Sequence, residues 1–119
     1  MRTLGKHEIP SQIQFYDDNV KKAYLELGKT EKKEEWSWLK KAIEKAFKDL
    51  KMNCHAGDQI PNNKISNKIL KKFDVETLWR YELGNGWRLL YSPVSGDIEV
   101  LSIVLGWGDH KWYTKVLNP

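Results

Sequence analysis

The sequence contains a single cysteine, Cys54, so its chain cannot form an internal disulfide. It also has no apolar run close to the roughly 20 residues that a membrane-spanning helix requires. Residues 1–10 lack the apolar stretch of a secretory signal. Because small secreted domains usually depend on several disulfides, these absences predict a soluble cytoplasmic protein in a reducing compartment, with no membrane partner.

Motifs for several common chemistries are missing as well. The sequence has no glycine-rich loop that would cradle a phosphate, and no Ser, His and Asp order that predicts a hydrolase triad. Cys54-His55, His7 and His110 do not have the spacing of a zinc site. We therefore expect neither a bound metal nor any other cofactor.

What is present suffices for one independent domain. The 119 residues fall within the usual domain size of about 100–150 residues. A hydrophobic share of 40% is ordinary for a globular protein, and a chain of this size can bury a core without metals or disulfides. We expect a single domain over residues 1–119, with residues 1–11 flexible.

The first half of the sequence predicts a strand followed by two helices. Residues 13–16 have a mixed strand pattern. Apolar side chains at helical spacing then predict one helix over residues 20–27 and a longer one over residues 36–50. Asp17 and Thr30 are suitable N-terminal caps. Because the intervening turn, which contains Gly28, is short, the two helices should pack as an antiparallel hairpin.

The second half changes to a strand pattern. Residues 53–66 are predicted to be a loop, and residues 65–72 a brief helical turn. Strands are predicted over residues 78–83, 87–92 and 98–105, separated by Gly84-Asn85-Gly86 and Ser95-Gly96-Asp97, whose residues favour tight hairpin turns. Residues 109–117 should form a short helix or tail. Together these elements predict an α+β fold: an N-terminal strand, an antiparallel helical hairpin, then an antiparallel sheet.

Alternation along the hairpin strands separates two faces of the predicted sheet. One face is largely aromatic and should pack on the helices: Trp79, Tyr81, Leu83, Trp87, Leu89 and Tyr91. The opposite face, which we expect to be uncovered, carries Arg80, Glu82 and Arg88 together with Leu90 and Ser92. Arginine binds phosphate oxygens in pairs and stays charged. This face suits a phosphate-bearing ligand, but a cross-strand Glu82–Arg88 ion pair on a solvated face needs no ligand and by itself is the better explanation.

Positive charge is concentrated in residues 1–72, whereas residues 73–119 are slightly acidic. An uneven distribution of this kind permits a polyanionic partner such as RNA. Lysines that only solvate helix surfaces produce the same distribution. Charge by itself therefore leaves both interpretations open.

The segment from Leu78 to Tyr113 resembles the RelE/ParE superfamily of bacterial and archaeal toxins, and in particular an archaeal branch. The matching pieces are Trp79-Arg80, the sequence GWRLLY at residues 86–91, and HKWY at residues 110–113. The preceding strand and helices also occur in the family order. The resemblance therefore covers most of the chain from about Gln12.

The resemblance implies a toxin of a type II toxin–antitoxin system, a ribosome-dependent and metal-independent messenger RNA endoribonuclease. In such enzymes the 2′-hydroxyl attacks the neighbouring phosphate, which requires a base, an acid and cations. The resemblance assigns phosphate stabilisation to Arg88, proton transfer to His110, proton transfer or base stacking to Tyr113, and the role of base to Glu82. Candidate RNA-binding residues are Arg80, Lys111, Lys68, Lys71 and Lys72.

The resemblance also implies partners: a cognate antitoxin, the ribosome and messenger RNA, with the toxin in a homodimer or a toxin–antitoxin heterotetramer. Two features differ from many active members, since Glu82 and Gly106-Trp107-Gly108 stand where basic residues are common. A gyrase-targeting ParE-like module, another non-catalytic binding module and an inactive toxin relative are therefore alternatives. His110 next to Asp109 also fits a helix cap, and Tyr113 a core aromatic.

Overall fold

A five-stranded mixed sheet forms the centre of the fold. The computed structural model describes residues 8–27, 29 and 33–118. Its strands are β1 (Gln12–Phe15), β2 (Asp58–Ile60), β3 (Leu78–Gly84), β4 (Trp87–Ser95) and β5 (Val100–Gly108). They are ordered β1-β5-β4-β3-β2, with β1 parallel to β5 and all other neighbours antiparallel. The α+β class is confirmed, but the sheet is mixed and not purely antiparallel.

Within the described ranges four α-helices accompany the sheet, α1 (Asp18–Glu26), α2 (Lys33–Met52), α3 (Asn67–Phe73) and α4 (His110–Leu117), together with a 3-10 turn at Asn62–Lys64. Side-chain oxygens cap three of them, since Asp17, Ser66 and Asp109 accept backbone N–H groups of the first turns of α1, α3 and α4. Gly28 and Thr30, the predicted stop and cap, lie outside the described residues. Among the helices that are described, none combines the length and apolarity needed to cross a bilayer.

Helices α1 and α2 cover one face of the sheet. The apolar stripe of α2, from Leu39 to Leu50, packs on Leu89, Tyr91 and Val104, all of which are buried. Helix α1 joins this core through Tyr24, whose ring lies 5.6 Å from Phe15 and 5.3 Å from Phe47, measured between centroids. The predicted aromatic face packs here, with Trp79, Tyr81, Leu83 and Trp87 against the same core.

The opposite face is covered as well, which corrects the expectation of an uncovered layer. Helices α3 and α4 bury Ile69, Tyr113 and Leu117 against the sheet residues Leu78, Leu90 and Leu105. The strands have apolar side chains on this face too, and burying such surface is the dominant favourable term in folding. The part of this face at Arg80, Glu82 and Arg88 remains accessible to solvent.

The strands differ from the predicted ones in several places, since β4 and β5 each end three residues later than expected, at Ser95 and Gly108. Strand β2 lies inside the segment predicted to be a loop, and it pairs with the start of β3, Asp58 opposite Arg80. Gly57 leads into it so close to the Arg80 carbonyl that a Cβ there would overlap the oxygen. At the other end, β5 begins at Val100, because Ile98 lies in the preceding bend and is 98% exposed.

The turn between β3 and β4 has the predicted chemistry. Gly84, Asn85 and Gly86 all have positive φ, at 107°, 53° and 78°. The pairing contains an irregularity, so that Gly84, and not Leu83, lies opposite Trp87. The four residues from Trp79 to Glu82 keep the expected register, which places Glu82 directly opposite Arg88.

The N-terminal residues that the structure describes are attached to the domain. The Ser11 hydroxyl donates to the Leu50 carbonyl at 2.7 Å and shares a hydrogen bond with the Ser102 hydroxyl at 2.8 Å. The Ile9 carbonyl accepts from the Cys54 amide. Residues 1–7, which make up most of the segment predicted to be flexible, lie outside the described part of the chain.

Candidate active site

Three elements bring five of the predicted site residues together at one end of the sheet. Arg80 and Glu82 lie on β3, and Arg88 lies opposite Glu82 on β4. Arg88 also pairs with Gly108, the last residue of β5. Because α4 begins two residues after Gly108, its first turn places His110 next to Arg88.

Arg88 contacts three other members of this cluster. Its Nε donates to Glu82 Oε1 at 3.0 Å, and its Nη1 lies 3.3 Å from His110 Nδ1. Its guanidinium carbon lies 4.6 Å from the centroid of the Tyr113 ring, a cation–π distance. Its side chain is 22% exposed, so a ligand can reach the guanidinium.

The contact with Arg88 determines which ring nitrogen of His110 carries the proton. A guanidinium has donors and no acceptor, so Nδ1 must be the acceptor if the two side chains are hydrogen-bonded. The neutral imidazole then has its hydrogen on Nε2. Since His110 is exposed, Nε2 is the nitrogen placed to exchange a proton with a ligand.

Tyr113 connects the two arginines. Arg80 Nη1 donates to the Tyr113 hydroxyl at 3.1 Å, while Arg88 lies against the ring of the same residue. The hydrogen bond to Tyr113 is the main reason that the pKa of Arg80 lies above its ordinary value, with Glu82 and Asp58 adding to it. At 8% exposure Tyr113 also belongs to the core. It therefore fixes the positions of both cations.

The cluster has the composition of an anion site that is closed by its own carboxylate. Two guanidinium groups face Glu82, whose side chain is 53% exposed. The contacts of Arg88 to Glu82 and His110 use Nε and Nη1. Within the described residues this leaves Nη2 for a ligand. Because exposed ion pairs are weak, a phosphate that binds the Arg88 guanidinium can displace the Glu82 carboxylate from it.

The predicted RNA-binding lysines of α3 lie elsewhere. Lys68, Lys71 and Lys72 are exposed on α3, and Lys111 is exposed on α4. The Tyr16 hydroxyl donates to the Lys72 carbonyl at 3.1 Å, so the end of α3 lies near the end of β1. Strand β1 is the edge of the sheet away from β3. These α3 lysines therefore do not join the two arginines.

Sequence reasoning overlooked Asp58, which lies opposite Arg80 and raises its pKa. Its strand has three residues in a Gly-, Asn- and Pro-rich segment, too short to show an alternating pattern.

Cys54 and His55, which were considered as metal ligands, pack within the fold instead. The ring of His55 stacks on Trp79 at 5.0 Å, and burial raises the pKa of the Cys54 thiol. Among the described residues, no three His, Cys, Asp or Glu side chains form a metal-binding group.

Comparisons of the chain with protein-family models, with curated proteins and with solved structures find no match. Three of the four predicted catalytic residues contact the fourth, Arg88, although the sequence separates them by up to 31 positions.

Proposed function

We propose that this chain is a RelE-like toxin that cuts messenger RNA on the ribosome without a metal. The observation that supports this proposal is the convergence of Glu82, His110 and Tyr113 on Arg88. A carboxylate, an imidazole and a guanidinium are the groups that transfer of RNA phosphate to a 2′-oxygen requires. The same proposal includes a RelE-like arrangement in which α1 and α2 pack as an antiparallel hairpin.

In the proposed reaction Glu82 takes the proton of the 2′-hydroxyl as that oxygen bonds to phosphorus. Phosphate binding draws Arg88 away from Glu82 and from Nδ1 of His110, so the imidazole can be protonated at that nitrogen. The resulting imidazolium gives a proton to the 5′-oxygen as its bond to phosphorus breaks. The products are a 2′,3′-cyclic phosphate and a 5′-hydroxyl. Arg88 and Arg80 stabilise the added negative charge of the transition state.

Cleavage of a programmed message tests this proposal directly. Purified protein mixed with ribosomes that carry a defined message should cut within the A-site codon. Arg88→Ala should reduce the cleavage rate by a factor on the order of 100 or more, since removal of one group that stabilises transition-state charge has about that effect. Lys45→Ala, which removes one positive charge from the exposed side of α2, is the matched control and should retain full activity.

An intact message with the unmodified protein would contradict the enzyme proposal. Equal loss in Arg88→Ala and Lys45→Ala would contradict the assignment of the site, because it would indicate a general charge effect. Thermal unfolding of both variants establishes that each is folded.

A non-catalytic binding module is the second candidate, and the internal pairing of the cluster favours it. Arg88 is paired with Glu82 and Arg80 with Tyr113, so the cations have partners before any ligand binds. A ParE-like module that targets gyrase, or an inactive toxin relative, would have this arrangement. Salt dependence distinguishes the candidates, because RNA binding weakens steeply with salt whereas an apolar protein interface does not.

An antitoxin is the proposed cellular partner in either case. The sheet ends in two short edge strands, β1 and β2, of four and three residues. An extended or amphipathic segment of a second protein can add to such an edge or lie across the helices. Arrest of cell growth on expression, relieved by a co-expressed partner, is the expected outcome for a toxin.

A further inference from the structure

Five of the six tryptophans gather at the end of the sheet that carries the polar cluster. They come from α2, β4, β5 and α4: Trp36, Trp38, Trp87, Trp107 and Trp112. The ring of Trp87 lies 5.5 Å from that of Trp36 and 6.0 Å from that of Trp38. All five are only partly buried, which is unusual for so many large apolar side chains in one place.

Four of these rings line an open groove of about 390 Å³, here called the indole groove: Trp36, Trp87, Trp107 and Trp112. Among the residues that the structure describes, Leu27, Leu39, Gly108 and Asp109 also line it. Gly108 is needed for this shape, because a Cβ there would overlap the Trp112 ring. Gly106 also faces that ring, at 3.0 Å from a Cβ position. The two glycines therefore seat Trp112 against β5.

The indole groove and the polar cluster meet where β5 passes into α4, since neighbouring residues there belong to one or the other. Gly108 lines the groove and pairs with Arg88 across the sheet. Asp109 lines the groove, and the next residue, His110, contacts Arg88. Trp112 and Tyr113 repeat this relation one turn later, with Trp112 in the groove and Tyr113 under the guanidinium.

We propose that the indole groove holds an unstacked base of the RNA strand whose phosphate binds at Arg88. The inference rests on the proposed function. Flat aromatic rings next to guanidinium groups are the combination that binds single-stranded nucleic acid, because every base has a face that stacks. The Asp109 carboxylate accepts from the Trp112 amide through Oδ1, so Oδ2 can accept from the amino group of a base.

The charges beside the groove favour an anionic nucleic acid over an apolar protein segment as its occupant. Arg80 and Arg88 lie on the neighbouring strands, and both are partly exposed. A purely apolar segment would leave these cations without a role in binding. A nucleotide uses both the aromatic wall and the cations.

A matched pair of variants in α2 tests the inference. Trp36 lines the groove, whereas Trp38 contacts Trp87 from outside it. The probes are a short labelled single-stranded oligoribonucleotide and the same backbone with abasic sugars. Trp36→Leu should weaken binding of the base-bearing probe about tenfold, the usual effect of losing one base–aromatic stack, and leave the abasic probe within about twofold. Trp38→Leu should change neither.

A second measurement uses the unmodified protein, so that the test does not depend on the folding of a variant. The base-bearing probe should quench tryptophan fluorescence, and the abasic probe should not. Equal affinity for both probes, lost in Arg88→Ala, would overturn the groove as a base site while leaving the proposed function intact. Absence of binding by either probe would also overturn the groove, and the ribosome assay would judge the function separately. Self-association that Trp36→Leu abolishes would assign the groove to a second copy of the chain.

Discussion

The two faces of the hairpin formed by β3 and β4 are covered by helices of very different length. Helix α2 has 20 residues, about 30 Å at 1.5 Å per residue, and Leu89 and Tyr91 beneath it are completely buried. Helix α4 on the other face has 8 residues, about 12 Å. It buries Leu90 but leaves Arg88 and Glu82 partly exposed.

Under the proposed function, this difference separates the residues that stabilise the fold from those that bind and cut RNA within one pair of strands. A long apolar helix excludes water from one face. A short helix covers only part of the other, and its capped first turn brings His110 and Tyr113 to the exposed arginine. Substitutions on the first face should therefore lower the free energy of unfolding, whereas substitutions on the second should mainly affect binding and cleavage.

The largest expected effect is on the face below α2. Leu89→Ala should lower the free energy of unfolding by about 2–5 kcal/mol, because it leaves a cavity in a closely packed core. Chemical denaturation monitored by circular dichroism measures it. The control is Leu25→Ala on α1, where the side chain is 51% exposed and the change should stay within about 0.5 kcal/mol. Similar losses for both variants would contradict the contrast in packing.

Two buried tyrosines provide a sharper comparison, because each belongs to one face. The Tyr91 hydroxyl accepts from the Gly57 amide at 3.0 Å and donates to the Cys54 carbonyl at 2.8 Å. Tyr91→Phe leaves both groups unpaired and should cost about 1–3 kcal/mol of stability, with little change in RNA binding. Tyr113→Phe should do the reverse, since its hydroxyl accepts from Arg80. Denaturation and RNA titration of both variants provide the test.

Tyr91 also leads us to expect that the protein loses stability at alkaline pH. Burial raises the pKa of Tyr91 above its ordinary value of 10.0. Above that pH the unfolded chain loses the phenolic proton while the folded chain keeps it, so stability is fully present below pH 10.0 and falls as pH rises further. The slope from this residue is at most about 1.4 kcal/mol per pH unit. Tyr91→Phe should flatten the curve, and an unchanged slope would contradict this assignment.

Tyr81 contributes to the alkaline decline with the same sign. Its pKa is raised by burial first and then by its hydrogen bond to Asp49. For this reason the decline should be reduced, and not abolished, in Tyr91→Phe. The double variant with Tyr81→Phe should be flatter still.

The smallest expected change in stability is at Glu82. Glu82→Gln removes an exposed ion pair and should change the free energy of unfolding by less than about 1 kcal/mol. Affinity for RNA should rise a few-fold, because the carboxylate no longer competes for Arg88. Cleavage should fall by a factor on the order of 100, the usual contribution of a general base. Unchanged cleavage would remove Glu82 from the catalytic role, and Glu76→Gln, at an exposed carboxylate before the start of β3, serves as the charge-matched control.

Several elements could be predicted because their signals are local. Asp17 caps α1 as expected, and Gly84-Asn85-Gly86 form the expected turn, since capping and positive φ depend on a few adjacent residues. Alternation likewise assigned Arg80, Glu82 and Arg88 to one face. Strand β2 was missed because three residues show no period. The cover over the second face was missed because the spacing of α4 does not say which surface it packs on.

Local signals in the sequence were enough to predict the order of the helices and of β1, β3, β4 and β5, the tight turn before β4, and the face on which each hairpin side chain lies, because these follow from backbone preferences and short-range periodicity. The packing of α4 onto the polar face, which brings His110 and Tyr113 to Arg88, became visible in the tertiary structure alone. The tertiary structure also decided that tryptophans from four elements line one groove. Both outcomes depend on packing between residues far apart in the chain, where the burial of apolar surface and not local propensity selects the arrangement.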